Sequence, residues 1–176
     1  MIHIFGDSFS NNSKGWPGLI GSNSVGSNGA SEYRIYRTYL DRKHTIGPKD
    51  IVVFCHTHWS RIYLKDTVPS LTRKLASHPI CDLVLRDVLE KNETQFIKTL
   101  ESIWDEEYFK HTYQLYLHQL TTVPNSVHVT FFKDIYHPKL LNLSQIWAEH
   151  PGKINHMTDQ GNSLAAEQII QTLKRF

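Results

Sequence analysis

The apolar positions of this chain follow two periods. Residues 1–5 are an apolar run broken only by His3, and residues 51–55 (Ile51-Val52-Val53-Phe54-Cys55) are an unbroken one. The second run is β-branched and follows the turn Gly47-Pro48-Lys49-Asp50. An apolar run of this length between turn residues fits a strand covered on both faces, as in a parallel sheet. It predicts the central strand at 51–55. Val127, Val129 and Phe131 recur with period two and predict a strand over 126–132. A weaker strand is expected over 24–28.

Other stretches carry helical spacing. Ile35, Tyr39 and Leu40 follow Ser31, a residue type that suits an N-cap, and predict a helix to about residue 42. Ile103, Tyr108, Tyr113, Leu117 and Leu120 predict a long helix over 102–122, with Trp104-Asp105-Glu106-Glu107 as its acidic start. Leu164, Ile169 and Leu173 predict a last helix over 159–173, with Asp159 as its cap. A short helix is expected from Pro17. Residues 64–100 are mixed, read as helical, and form the candidate insertion or lid. Residues 133–152, with Pro138 and Pro151, read as irregular. Strands alternating with helices predict one α/β domain over 1–176, a three-layer α/β/α sandwich with a central parallel sheet.

Composition narrows the partners. The chain has 176 residues and a formal net charge of +2, and its basic residues are dispersed. This argues against a nucleic-acid partner. No apolar stretch approaches membrane-spanning length. No basic segment followed by a long apolar stretch opens the chain, so a cytoplasmic location is expected, with virion association or release by lysis left open. The two cysteines, Cys55 and Cys81, form no metal-like or redox pair. Cys55, inside a strand pattern, is expected to be a buried free thiol.

Chemistry enters at both ends. Gly6-Asp7-Ser8-Phe9-Ser10 directly follows the first strand, and Asn155-His156-Met157 precedes the last helix. A hydroxyl on the first turn after a strand faces the crevice where open α/β sheets bind ligands. A serine and a histidine brought together by folding are the parts of a nucleophile and its base. The plainer reading of Asp7 and Ser8 is a turn or helix cap.

These two segments, with Gly29-Ala30-Ser31 after the second strand, resemble the SGNH, or GDSL, hydrolase superfamily over residues 2 to about 173. The resemblance implies a flavodoxin-like fold and ester hydrolysis through an acyl-serine, with no cofactor. Residue by residue, it implies Ser8 as nucleophile and His156 as general base. It also implies Ser8 and Gly29 as backbone donors to an oxyanion. The third block departs from the family. Its Gly-x-Asn-Asp is replaced here by Cys55-His56-Thr57-His58-Trp59-Ser60-Arg61, with Thr57 at the asparagine position. Thr57 is thus a weaker candidate third donor. His56, His58, Arg61 and Asn155 are candidates for substrate binding or support, and Arg61 for an anionic group or a carboxylate partner. The fifth block departs too. Lys153 stands where an aspartate often orients the histidine, and Asn155 beside His156 is neutral. A Ser-His dyad, a remote acid such as Glu149 or Asp134, and a degraded site all remain open.

Weaker patterns remain. His56 and His58 alternate and would share a face as a metal pair might, but only Asp66 is near to complete a ligand set, so no metal is expected. The glycine- and serine-rich stretch 21–29 lacks a phosphate-loop pattern. Glu32, Arg34 and Arg37 alternate with Tyr33, Tyr36 and Tyr39, a face that suits a glycan, a partner or the core. The expected function is a serine esterase acting on a small-molecule or glycan ester with a short acyl group, such as acetyl on a carbohydrate. A non-catalytic binding or structural protein on the same fold and an acyltransferase to a sugar are the alternatives.

Overall fold

A computed structural model describes residues 1–11, 14–63, 82–84, 105–152 and 156–175. Five parallel strands form one sheet: β1 (Ile2–Gly6), β2 (Asn23–Gly26), β3 (Ile51–His56), β6 (Ser126–Thr130) and β7 (Leu140–Asn142). Their order is β2-β1-β3-β6-β7, with Ile4 opposite Val53 and Cys55 opposite Val129. β4 (Arg61–Ile62) and β5 (Leu83–Val84) pair as a separate antiparallel ribbon. The helices are α1 (Trp16–Leu19), α2 (Glu32–Arg42), α3 (Glu106–Thr121), α4 (Ser144–Glu149) and α5 (Asp159–Leu173).

The unbroken apolar run of β3 is explained by burial on both faces. Val53 and Cys55, with Ile4, Val127 and Val129, point to a core that includes Trp16 of α1, Ile146 of α4 and Ala165, Ala166 and Ile169 of α5. Val52 and Phe54, with Phe5, point to the opposite core, built with Ile35 of α2 and Leu120 of α3. The sandwich is therefore three layers, and β3 is its central strand, as the pattern predicted. Cys55 is a buried free thiol. Burial, then the nearby carboxylates of Asp7 and Glu32, push its pKa well up, which keeps it an inert thiol. Among the described residues, no helix is long and apolar enough to cross a membrane.

The helix starts follow side-chain caps. Ser31 accepts from Arg34 N–H at 3.3 Å, and Asp105 accepts from Tyr108 N–H at 3.0 Å. On α5 the cap is Thr158, accepting from Gly161 N–H at 3.2 Å, not Asp159, which is the first helical residue. Residues 133–152 are not irregular throughout, since they hold β7 and α4. Three strand residues and six helical ones are too few to show a period. Leu143 at the α4 N-cap also gives no capping signal. The candidate lid at 64–100 lies outside the described residues except 82–84, as does Cys81.

Strand order locates the crevice. From β1 the chain moves outward to β2, and from β3 it moves the other way to β6. The sheet switches direction between β1 and β3, where open α/β sheets bind ligands beyond the carboxyl ends. The turn with Ser8 follows β1 there, and residues 57–61 follow β3.

Candidate active site

Residues 8–10 form a single 3-10 turn capped by Asp7. The Asp7 carboxylate accepts from Phe9 N–H at 3.0 Å, and its carbonyl accepts from Ser10 N–H at 3.0 Å and Ser10 Oγ at 2.8 Å. Asp7 thus caps, as the plainer reading held, and in doing so holds Ser8 on the turn's outer side. Asp7 and Ser10 are fully buried, while Ser8 is partly exposed. The turn folds back so closely that a Cβ on Gly6 would sit 2.6 Å from both Ser10 Oγ and Cys55 Cβ. Only glycine fits there.

The loop after β2 is tied to the same turn. Ser27 N–H donates to Gly6 O at 3.0 Å, and Asn11 Nδ2 donates to Asn28 Oδ1 at 3.1 Å. Gly29 follows with φ +64°, the left-handed region that favours glycine. Among the described residues, neither the Ser8 N–H nor the Gly29 N–H has a hydrogen-bond partner.

His156 is half-buried, with its ring 5.7 Å from that of Phe9, the neighbour of Ser8. Its carbonyl accepts from Gly152 N–H, and Met157 bridges to Pro151, so the segment is pinned to the end of α4. Among the described residues, no hydrogen bond joins its ring to Ser8 Oγ or to a carboxylate. Catalytic hydrogen bonds are often long without substrate and close in the complex. Of the two remote candidate acids, Asp134 binds His58 and Glu149 accepts from Gln145 at 2.8 Å. Lys153 and Asn155 lie outside the described residues.

The third block lies beneath this turn and supports it. Arg61 Nη1 is 3.0 Å from Asp7 Oδ2, and Thr57 Oγ1 donates to the same oxygen at 3.3 Å. Burial raises the Asp7 pKa; Arg61, Phe9 N–H, Thr57 and His156 act against it. Arg61 also donates to Ala30 O at 3.4 Å and lies over the Phe132 ring at 5.6 Å. Arg61 therefore pairs with a carboxylate, the second of its two candidate roles. Both donors of the fully buried Thr57 are engaged, Oγ1 by Asp7 and N–H by Glu32 at 3.3 Å.

His56 and His58 do not share a face. His56 is fully buried, with Nδ1 2.6 Å from Glu32 Oε1 and Nε2 2.9 Å from His128 Nδ1. His128 Nε2 lies 2.8 Å from Ser126 Oγ, which donates to Val123 O at 2.6 Å. The proton positions follow. The single Ser126 hydroxyl proton goes to the carbonyl, so His128 Nε2 donates to Ser126. His128 Nδ1 then accepts from His56 Nε2, and one proton lies between His56 Nδ1 and Glu32. The far end of this chain, His128 and Ser126, lines a cavity of about 370 Å³ with Lys139 and Thr172, away from the strand ends that carry Ser8. His58 lies beyond the strand and binds Asp134. Among the described residues, no three metal-ligating side chains converge.

Neither the site position of His128 nor that of Glu32 is signalled by the sequence pattern. An acid in a helix's first turn reads as a partner for the helix dipole, and nothing in its spacing points to His56. Burial first, then His56, Lys139 and His137, depress the His128 pKa to about 2. Unfolded, the ring takes a proton below about 6.5. This contribution to stability is therefore present above that pH and is lost as pH falls toward the folded value. The melting temperature is expected to drop between pH 7.5 and 5, and His128→Gln to show a smaller drop. An undiminished drop in the variant would refute this role.

No protein-family model matches the chain, and no curated protein does. Solved structures do. A lipolytic protein of the G-D-S-L family from Veillonella parvula matches with TM-score 0.53 at 11% identity, covering 99% of this chain and 98% of that one. A GDSL-like lipase from Bacteroides thetaiotaomicron matches with TM-score 0.47 at 13% identity, covering 99% and 87%. A putative acylhydrolase from Bacteroides fragilis matches with TM-score 0.44 at 13% identity, covering 99% and 86%. With its five-stranded parallel sheet between helix layers and its end-to-end match to the Veillonella protein, this chain has the fold of the GDSL, or SGNH, lipolytic proteins.

Proposed function

We propose that the protein is a serine ester hydrolase in which Ser8 is the nucleophile and His156 the base. One observation carries the reading. Ser8 stands on a capped turn at the sheet's switch point, with its own N–H and that of Gly29 unpartnered among the described residues. Backbone donors with no partner among the described residues suit the oxyanion of a tetrahedral intermediate, where fixed donors are often the largest catalytic contribution. Ser8 Oγ attacks the ester carbonyl, and His156 takes its proton and passes it to the leaving alcohol. Water then attacks the acyl-serine, giving its proton to His156, which returns one to Ser8 as the acid leaves. Thr57 acts from below, through Asp7, rather than as a third oxyanion donor.

The proposed substrate is a small or glycan ester with a short acyl group. Transfer of the acyl group to a sugar instead of water would show as ester product in the presence of an alcohol acceptor. A binding protein on the same fold is the second reading, favoured by the missing hydrogen bond between Ser8 and the His156 ring. Fluorophosphonate labelling tests between them. An adduct on Ser8, located by peptide mass spectrometry and lost in His156→Ala, is expected. A folded protein that leaves Ser8 unlabelled would turn the assignment to ligand binding.

A further inference from the structure

We infer that Ser60, His58 and Asp134 form a second nucleophilic centre, able to attack small carboxylic esters independently of Ser8. The three residues lie beyond the carboxyl ends of β3 and β6, on the side of the crevice away from β2. Ser60 Oγ is 2.6 Å from His58 Nδ1, and His58 Nε2 is 2.7 Å from Asp134 Oδ2.

The direction of these bonds is fixed by a third. Ser60 N–H points to the same Nδ1 at 3.1 Å. A backbone N–H only donates, so Nδ1 holds a lone pair and the ring's proton sits on Nε2, facing Asp134. The Ser60 hydroxyl has one role left at Nδ1, which is to donate. Hydroxyl, imidazole and carboxylate therefore stand in the order of a nucleophile, its base and the group that orients the base. The ring nitrogens are exchanged relative to the usual triad, which leaves the chemistry unchanged. A histidine that merely closed its own turn would need only the Ser60 N–H. It would need neither the hydroxyl contact nor a carboxylate from a loop 76 residues away.

The centre is reachable. The His58 and Asp134 side chains are 22% and 51% exposed. The ring is steadied from the sides, 5.0 Å from Trp59 and 5.6 Å from Phe132. Phe132 also meets Phe9 edge-on at 6.0 Å, so one aromatic wall separates this centre from the Ser8 turn. In the reaction, Ser60 Oγ bonds to the acyl carbon as its proton moves to His58 Nδ1. The bond from the acyl carbon to the leaving oxygen breaks, and that oxygen takes the proton from Nδ1. Water then attacks acyl-Ser60 and loses a proton to Nδ1, which returns one to Ser60 Oγ as the acid departs. The balance is ester plus water to acid plus alcohol.

The test uses the full chain carrying Ser8→Ala, treated with a fluorophosphonate and digested with trypsin. Ser60 falls on peptide 50–61 and Ser8 on peptide 1–14, so each reading stands or fails separately. An adduct on peptide 50–61 is expected, forming at least about ten times more slowly after His58→Ala, given what a general base contributes. Asp134→Asn, at a half-exposed position that tolerates the change, is expected to slow it as well. The Ser8→Ala protein should retain hydrolysis of an aryl acetate that Ser60→Ala removes. The proposal is overturned by a folded Ser8→Ala protein with no adduct on peptide 50–61. It is equally overturned by an adduct whose rate neither His58→Ala nor Asp134→Asn changes.

Discussion

In protein that already carries Ser60→Ala, Ser8→Ala is expected to lower kcat/KM on a short-chain aryl ester by about 10⁴-fold or more. Removing a nucleophile ends the covalent route and leaves only what binding and oxyanion donors supply. His156→Ala is expected to cost about 10²- to 10⁴-fold, the usual contribution of a positioned base. The instructive variant is the double one. If Ser8 and His156 act as one unit, removing both costs little more than removing Ser8 alone, because the base has no proton left to take. Costs that multiply would mean that His156 acts on something other than the Ser8 proton. A His156→Ala enzyme with the parent rate would end its assignment as base. The Ser60→Ala background matters because a second reactive hydroxyl would mask the loss at Ser8.

How much of this could be read before folding depends on the length over which each feature is encoded. β3 was legible because five consecutive apolar residues have one good arrangement, burial between two helix layers. α2 was legible down to its cap, since Ser31 signals its start locally. β7 and α4 were not, because neither is long enough to repeat its period. The site divides in the same way. Ser8, Gly29 and His156 each sit next to an element boundary that the sequence marks, so their places were readable. The partners of Arg61, His56 and His58 were not. Asp7, Glu32 and Asp134 are separated from them by 54, 24 and 76 residues, and charge alone does not choose among seventeen acidic side chains. The alternation of His56 and His58 misled because the strand ends between them. His56 keeps the inward direction of β3, while His58 already belongs to the loop.

Arg61→Ala is expected to destabilise the fold by about 3–5 kcal/mol, the cost of stripping one partner from a buried ion pair. For a chain of this length that corresponds to a melting temperature lower by roughly 10 °C. Asp7 has no exposed surface, and once the guanidinium is gone it keeps Phe9 N–H, Thr57 Oγ1 and the weak Cys55 S–H donor, none of them charged. The pH dependence gives the mechanism a sign. Burial already raises the Asp7 pKa, and loss of Arg61 raises it further. With its folded pKa above the unfolded value, Asp7 binds its proton more tightly when folded. Stability is then greatest at acid pH and is lost as pH climbs through the folded pKa. The gap between Arg61→Ala and the parent protein should accordingly be wide at pH 7.5 and narrow toward pH 4. Asp7→Asn placed in the Arg61→Ala background should recover part of the loss at neutral pH, because it removes the stranded charge but keeps a side-chain oxygen to cap Phe9. A loss below about 1 kcal/mol, as for an exposed pair, with no narrowing in acid would show that water reaches Asp7 and that the pair is ordinary surface electrostatics. If the loss is as large as expected, its consequence extends to chemistry. Asp7 caps the turn that carries Ser8, so freeing Asp7 loosens the nucleophile, and kcat should fall in the surviving folded enzyme more than KM rises.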